Sequence, residues 1–142
     1  AETRRRGEEL LELFGLAERG DELLGGYSHG MRQKAALTGA LLHSPRALFL
    51  DEPTVGLDPR SARLIKDMLR QVAADGACVF MSTHILEIAE RMCDRVFIIN
   101  RGAIIAAGTV EELRAGGDAS LEDIFLSLTG GSEEAAIAEA LT

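Results

Sequence analysis

The apolar positions along the chain fall into helical and strand-like runs that alternate. Residues 6–14 (RGEELLELF) place Leu10, Leu13 and Phe14 at helical spacing, which predicts a helix with one apolar face. Glycines 15, 20, 25 and 26 then break the pattern into a loop. A second helix is predicted from about Ser28 to Leu42 and is closed by Pro45. Its small residues Ala35, Ala36, Gly39 and Ala40 suggest close packing against another element. Residues 47–50 (ALFL) read as a short buried strand that ends at Asp51-Glu52-Pro53. Asp58-Pro59 has the form of an N-cap followed by proline at the first helical position. The helix so begun carries a stripe of Leu64, Ile65, Met68, Leu69 and Val72, and Gly76 ends it.

The second half continues the alternation. Residues 77–82 (ACVFMS) read as another buried strand that ends at Thr83 and His84, and Ile85 to Met92 as a short helix. Val96 to Asn100 is a third strand. Arg101-Gly102 is a two-residue turn, so Ala103 to Ala107 should return as the second arm of an antiparallel hairpin. Thr109 with Glu112 has capping-box spacing ahead of a small helix. Ser120 with Asp123 opens another helix, whose apolar face is Leu121, Ile124, Phe125 and Leu128. Gly130-Gly131 stops it, and residues 132–142 read as an alanine-rich terminal helix. No internal repeat or low-complexity tract interrupts this order.

Strands that alternate with helices predict an α/β fold with a mostly parallel sheet. In such sheets ligands bind at the carboxyl ends of the strands. Asp51, Glu52 and His84 all fall at such ends.

Composition narrows the class. The 142 residues are 46% apolar and 27% charged, an ordinary globular balance. The net charge of −8 gives no overall attraction for phosphate backbones. The basic run Arg4-Arg5-Arg6 is followed by acids and reads as a solvated helix start rather than a nucleic-acid patch. Cys78 and Cys93 lack metal-site spacing, and Cys78 lies in an apolar run that suggests a buried free thiol. No apolar stretch approaches the roughly 20 residues needed to span a bilayer, so a membrane role would come through a partner. The first residue is Ala1, which suggests either a natural start upstream or removal of methionine.

Two segments carry candidate chemistry. Two adjacent carboxylates at a strand end repel each other unless a cation sits there, and magnesium held with substrate phosphates would relieve the conflict. The bland reading of Asp51-Glu52 is a solvated strand end. In Tyr27-Ser28-His29-Gly30-Met31, Ser28 is a natural N-cap and Gly30 lets an anion approach the backbone. Free N–H groups at a helix start favour phosphate. The bland reading there is a plain capped helix.

Taken together the segments resemble a known family. Tyr27-Ser28-His29-Gly30-Met31-Arg32-Gln33 resembles the signature motif of ABC ATPases, and its spacing to Leu50-Asp51-Glu52-Pro53-Thr54 resembles that family's signature-to-Walker-B spacing. Gly56-Leu57-Asp58-Pro59 resembles the D-loop, and Ser82-Thr83-His84 the switch histidine. Arg101-Gly102, Ala107-Gly108 and Val110-Glu111-Glu112-Leu113 resemble the turn and helix that follow. The resemblance runs in order from about residue 6 to residue 115. It implies the C-terminal half of a P-loop NTPase-like α/β domain with part of the helical subdomain. On that basis residues 1–27 end the helical subdomain, 28–115 form the second half of the catalytic core, and 116–142 are a C-terminal helical tail.

Two departures stand out. His29-Gly30-Met31 replaces the two glycines and glutamine of the common signature. That variant resembles cassettes that drive drug, lipid or polysaccharide export, and Leu121-Glu122-Asp123-Ile124-Phe125 resembles the tail of such exporters. His29 either makes phosphate contact pH-dependent or simply replaces a glycine at an exposed turn. The larger departure is that these residues contain no G-x-x-x-x-G-K-[ST] loop. The two lysines, Lys34 and Lys66, follow non-glycine residues, and Gln33 and Gln71 lie in the wrong contexts for a glutamine loop. In the family these parts lie N-terminal to residue 1, so the expectation is a fragment that is inactive alone.

The resemblance also implies roles. Two cassettes of this family sandwich two ATP molecules head to tail. The signature residues Ser28, His29, Gly30 and Met31 would face nucleotide held by the partner, with Ser28 and Gly30 at its γ-phosphate. Asp51 would orient magnesium, often through water, and Glu52 would act as general base. His84 would contact the γ-phosphate. Gly56, Leu57 and Asp58 would link the two sites across the dimer. Asp58 and His84 each have a plainer alternative as helix-capping residues. The implied whole is an ATP-hydrolysing subunit that uses ATP and Mg2+, pairs with a second cassette and transmembrane permease subunits, and sits at the cytoplasmic face of the cell membrane. It would not bind nucleic acid. Alternatives are a non-transport ABC ATPase in DNA repair or translation, or a truncated regulatory or dimerisation module.

Overall fold

The computed structural model describes residues 2–130. Its helices are α1 (Glu2–Leu13), α2 (His29–Leu41), α3 (Pro59–Ala74), α4 (Leu86–Met92), α5 (Val110–Arg114) and α6 (Leu121–Thr129). Its strands are β1 (Ala47–Asp51), β2 (Cys78–Ser82), β3 (Val96–Asn100) and β4 (Ala103–Gly108). The terminal helix expected over 132–142 lies outside the described residues. The chain divides into two compact units, one ending at Ser82 and the other beginning at Thr83.

In the first unit α1 packs on α2. α1 ends in a Schellman motif: Leu16 N–H donates to Leu11 O at 2.7 Å and Gly15 N–H to Glu12 O at 2.9 Å, with Gly15 left-handed at φ 68°. The reversal tucks Phe14 and Leu16 into the core, each 1% exposed. Leu13 faces outward instead, 50% exposed, so the inward face of α1 differs by one position from the expected one. The basic run is a solvated helix start, as its pattern predicts. Arg4 pairs with Glu8 and Arg5 with Glu9 one turn on.

Strands β1 and β2 are parallel neighbours, with Leu48 opposite Val79 and Asp51 opposite Ser82. α3 returns between them as the crossover, burying Ile65, Met68 and Leu69 from the predicted stripe. Three expectations of burial need correction. Phe49 and Phe80, paired across the ladder with ring centroids 5.7 Å apart, are exposed, and so is Cys78. The apolar runs suit strands covered on both faces, but among the described residues one face of this pair lacks a covering layer. On α2 the buried stripe is Leu37, Thr38 and Leu41, while Ala36, Gly39 and Ala40 are exposed. Small residues permit close approach but do not by themselves bury a helix face.

In the second unit β3 and β4 form the predicted antiparallel hairpin. Its turn has φ 49° at Arg101 and φ 79° at Gly102, the two positive values a primed two-residue turn requires. Both capping boxes are present, Thr109 with Glu112 and Ser120 with Asp123. Ala89, Ile98 and Leu121 form the core, packed by Leu86, Leu113 and Phe125 among others. Arg114 ion-pairs with Glu90, whose other oxygen accepts from Leu121 N–H at 3.3 Å. α4, α5 and α6 are thereby tied at one carboxylate. No described helix is long and apolar enough to cross a membrane.

Candidate nucleotide site

Three local features build the site in the first unit. The head of α2 is capped by Ser28, whose hydroxyl accepts from Met31 N–H at 3.3 Å. Arg32 reaches back from the second turn to donate to Tyr27 O at 2.5 Å. Tyr27 is buried, and its hydroxyl donates to Arg19 O at 2.6 Å. The Arg19 guanidinium lies 5.8 Å from the Tyr27 ring centroid, donates to Met31 Sδ at 3.3 Å, and pairs with both oxygens of Glu22. That pairing holds the Glu22 carboxyl below the ordinary carboxylate range. The signature segment is thus braced from the loop that precedes it.

The second feature is the end of β1. Asp51 accepts a hydrogen bond from the hydroxyl of Ser82, its register partner on β2. Glu52 leaves the strand at φ 45°, in the left-handed region. Its N–H donates to Ser82 O at 3.0 Å, and its carbonyl accepts from Val55 N–H at 3.2 Å and Gln33 Nε2 at 3.2 Å. The adjacent acids therefore part where the strand ends, with Asp51 in the ladder and Glu52 in a tight turn.

The third feature is the turn into α3. Asp58 caps the helix, accepting from Ser61 N–H at 3.0 Å on one oxygen and from the Ser61 hydroxyl at 2.5 Å on the other. These bonds, the hydroxyl first, lower the Asp58 pKa. Gly56 has φ 75°, and a Cβ there would lie 3.0 Å from His29 Cδ2. A Cβ on Gly30 would lie 3.1 Å from Leu57 Cδ2. The signature segment and the turn after β1 therefore touch within one chain, at contacts where added methyl groups would crowd.

These features border an open cavity of about 440 Å³ lined by His29, Arg32, Gln33, Asp51, Glu52 and Val55. It brings together His29, Asp51 and Glu52 of the expected residues, with Ser28, Gly30, Met31, Gly56, Leu57 and Asp58 on the segments around it. His84 is the second residue of the second unit and is exposed in the loop between β2 and α4. The N-cap position of α4 is Ile85, whose N–H bonds the Thr83 hydroxyl at 3.1 Å. Gln33 and Ser82 stand inside the motifs quoted from the sequence, but sequence reasoning gave neither a role of its own. Gln33 could have been found by its place one helical turn after His29, on the same face of α2.

Residues 7–90 match a family model described as "AAA domain, putative AbiEii toxin, Type IV TA system". The daunorubicin resistance ATP-binding protein DrrA3 of Streptomyces coeruleorubidus is 44% identical over 118 residues, 82% of this chain and 37% of that protein. The linearmycin resistance ATP-binding protein LnrL of Bacillus subtilis (strain 168) is 38% identical over 134 residues, 93% of this chain and 42% of that one. A solved ATP-binding subunit of an ABC transporter superposes with TM-score 0.86 at 36% identity, covering 91% of this chain and 55% of its own. The chain belongs to the AAA-type domain family and is an ABC-type ATP-binding cassette. A cassette of known structure in its ADP conformation, MJ1267, aligns at TM-score 0.67 and 26% identity. The cassette described here spans about two fifths of the length of the curated relatives it matches.

Proposed function

We propose that the chain supplies the signature, the catalytic carboxylate and the switch histidine of an ATP-hydrolysing cassette that drives export across a membrane. One observation carries the reading: Asp51 and Glu52, at the carboxyl end of a parallel strand, share one cavity with the head of α2. The names of the relatives, resistance ATP-binding proteins, support export as the task. The boundaries that go with this reading are 1–27 for the end of the helical subdomain, 28–115 for the catalytic core and 116–142 for the tail.

Phosphoryl transfer needs positioning and charge neutralisation more than covalent chemistry. The residues fit each part. Glu52 takes the proton of the water that attacks the γ-phosphate. Ser28 and Gly30, with His29 and Met31 beside them, present the start of α2 to nucleotide held by a second cassette. His84 contacts the same phosphate, and Gly56, Leu57 and Asp58 connect the two sites. The donor type suits magnesium: Asp51 offers a hard oxygen at the edge of the cavity that Glu52 also lines, and one carboxylate with substrate phosphates is how magnesium is commonly held. Magnesium, when bound with ATP, neutralises phosphate charge. These residues hold no phosphate loop, so the loop's lysine and backbone nest come from outside them. Permease subunits in the membrane place the cassette at the cytoplasmic face.

The test is steady-state ATP hydrolysis by the complete protein with its membrane partner. Hydrolysis that is lost in Glu52→Gln, while ATP binding persists, supports the reading. Undiminished hydrolysis in Glu52→Gln overturns it.

A further inference from the structure

We infer that Gln33 is a positioning residue that sets the backbone, and through it the carboxylate, of Glu52. The inference rests on the reading of Glu52 as the general base. Glutamate has no intrinsic preference for φ near 45°, so something must hold it there. Hydrogen bonds on its backbone contribute: Ser82 O fixes the N–H, and Val55 N–H and Gln33 Nε2 share the carbonyl. Ser82 O belongs to the end of the neighbouring strand β2, and Val55 N–H to the turn that Glu52 itself begins. Gln33 reaches in from the first turns of α2, the one helix that also carries His29 to the same cavity.

The other half of the same amide shows why it is there. Among the described residues, Gln33 Oε1 is buried without a hydrogen-bond partner. A buried acceptor left unpaired opposes folding, and a methionine of similar length would fill the space without that loss. The amide is therefore not the choice that packing favours. Its use lies in the bond that Nε2 makes to the Glu52 carbonyl.

The consequence is geometric. The Cα–Cβ direction of Glu52 follows its φ and ψ, so the peptide that Gln33 holds decides where the carboxylate begins. His29 lies one turn earlier on the same helix and lines the same cavity. A movement of α2 thus reaches the base directly, through one amide.

The experiment compares wild type with Gln33→Met in the complete protein. We expect kcat to fall roughly ten- to a hundredfold, the scale of a displaced catalytic group, with KM for ATP unchanged within about twofold. Crystal structures of both should show Glu52 leaving the left-handed region in the variant. A turnover equal to wild type, or a lowered turnover with Glu52 unmoved, overturns the inference. If Gln33→Met does not fold, the wild-type structure decides. A Gln33 amide beyond hydrogen-bond reach of Glu52 O overturns it, and one within reach at positive φ upholds it. If the wild-type protein does not hydrolyse ATP at all, the proposed function fails. The two structures then still read the Gln33–Glu52 link by itself.

Discussion

The imidazole of His29 lies against Gly56, so close that a Cβ on the glycine would sit 3.0 Å from His29 Cδ2 and 3.2 Å from Nε2. Gly56 also holds φ 75°, a conformation that L-residues disfavour. Gly56→Ala therefore meets two separate obstacles. The left-handed strain costs about 1–2 kcal/mol in any background. The contact with the ring adds a further cost that His29→Gly would remove. A double-mutant cycle by urea unfolding of the complete protein separates them. The expected result is a smaller penalty for Gly56→Ala in the His29→Gly background. Equal penalties would mean that the ring moves aside freely.

Asp58 ties stability to pH at the acid end. Its bonds to Ser61 lower the folded-state pKa below the unfolded value, near 3.8. A carboxyl with a depressed folded pKa contributes stability that is fully present above the unfolded value. That contribution is lost as pH falls through the folded one. The stability gap between wild type and Asp58→Ala should thus be constant from neutral pH down to about pH 5 and close below pH 4. Unfolding midpoints measured across that range check it. A gap that persists unchanged at pH 2 would show that the ionised carboxylate is not what caps α3.

What could be read from the chain was local. The capping boxes at Thr109 and Ser120, the Asp58-Pro59 helix start and the Arg101-Gly102 turn each depend on residues within a few positions of one another, and all four form. The site was legible where strand ends met polar residues, as at Asp51 and Glu52. Burial was less so, because periodicity marks an apolar run and does not say what covers it. Phe49, Phe80 and Cys78 lie in such runs and are exposed. The link from Gln33 to the carbonyl of Glu52 crosses 19 positions and exists only once α2 and β1 are side by side. No spacing rule reaches it.

Cys93 should be a slow thiol. It is half-buried beside Asp94, and burial first, the neighbouring carboxylate second, raises its pKa above the usual 9.0. The thiolate is the reactive form, so at pH 8 iodoacetamide should alkylate Cys93 more slowly in the native protein than in urea. The native rate should keep rising with pH beyond the point where an ordinary thiol has levelled off. Peptide mapping by mass spectrometry follows the site. A native rate equal to that in urea would contradict the burial described here.

Glu90 holds three helices of the second unit at one point. One oxygen pairs with Arg114 at the end of α5, and the other accepts from Leu121 N–H at the start of α6. Both side chains are sheltered, with Glu90 24% and Arg114 31% exposed, so solvent screens the pair less than it does the fully exposed pairs of α1. Glu90→Ala leaves a half-buried guanidinium and a helix-start N–H without their acceptor. The expected loss is about 2 kcal/mol, between an exposed pair and a fully buried one. Glu90→Gln keeps an acceptor for Leu121 N–H and removes the charge, so it should lose less. Hydrogen exchange should locate the effect. Amides early in α6 should lose protection in Glu90→Ala, and those of α2 and α3 should not. Loss spread evenly over both units would mean that the carboxylate acts on the whole fold rather than as the clamp of α6.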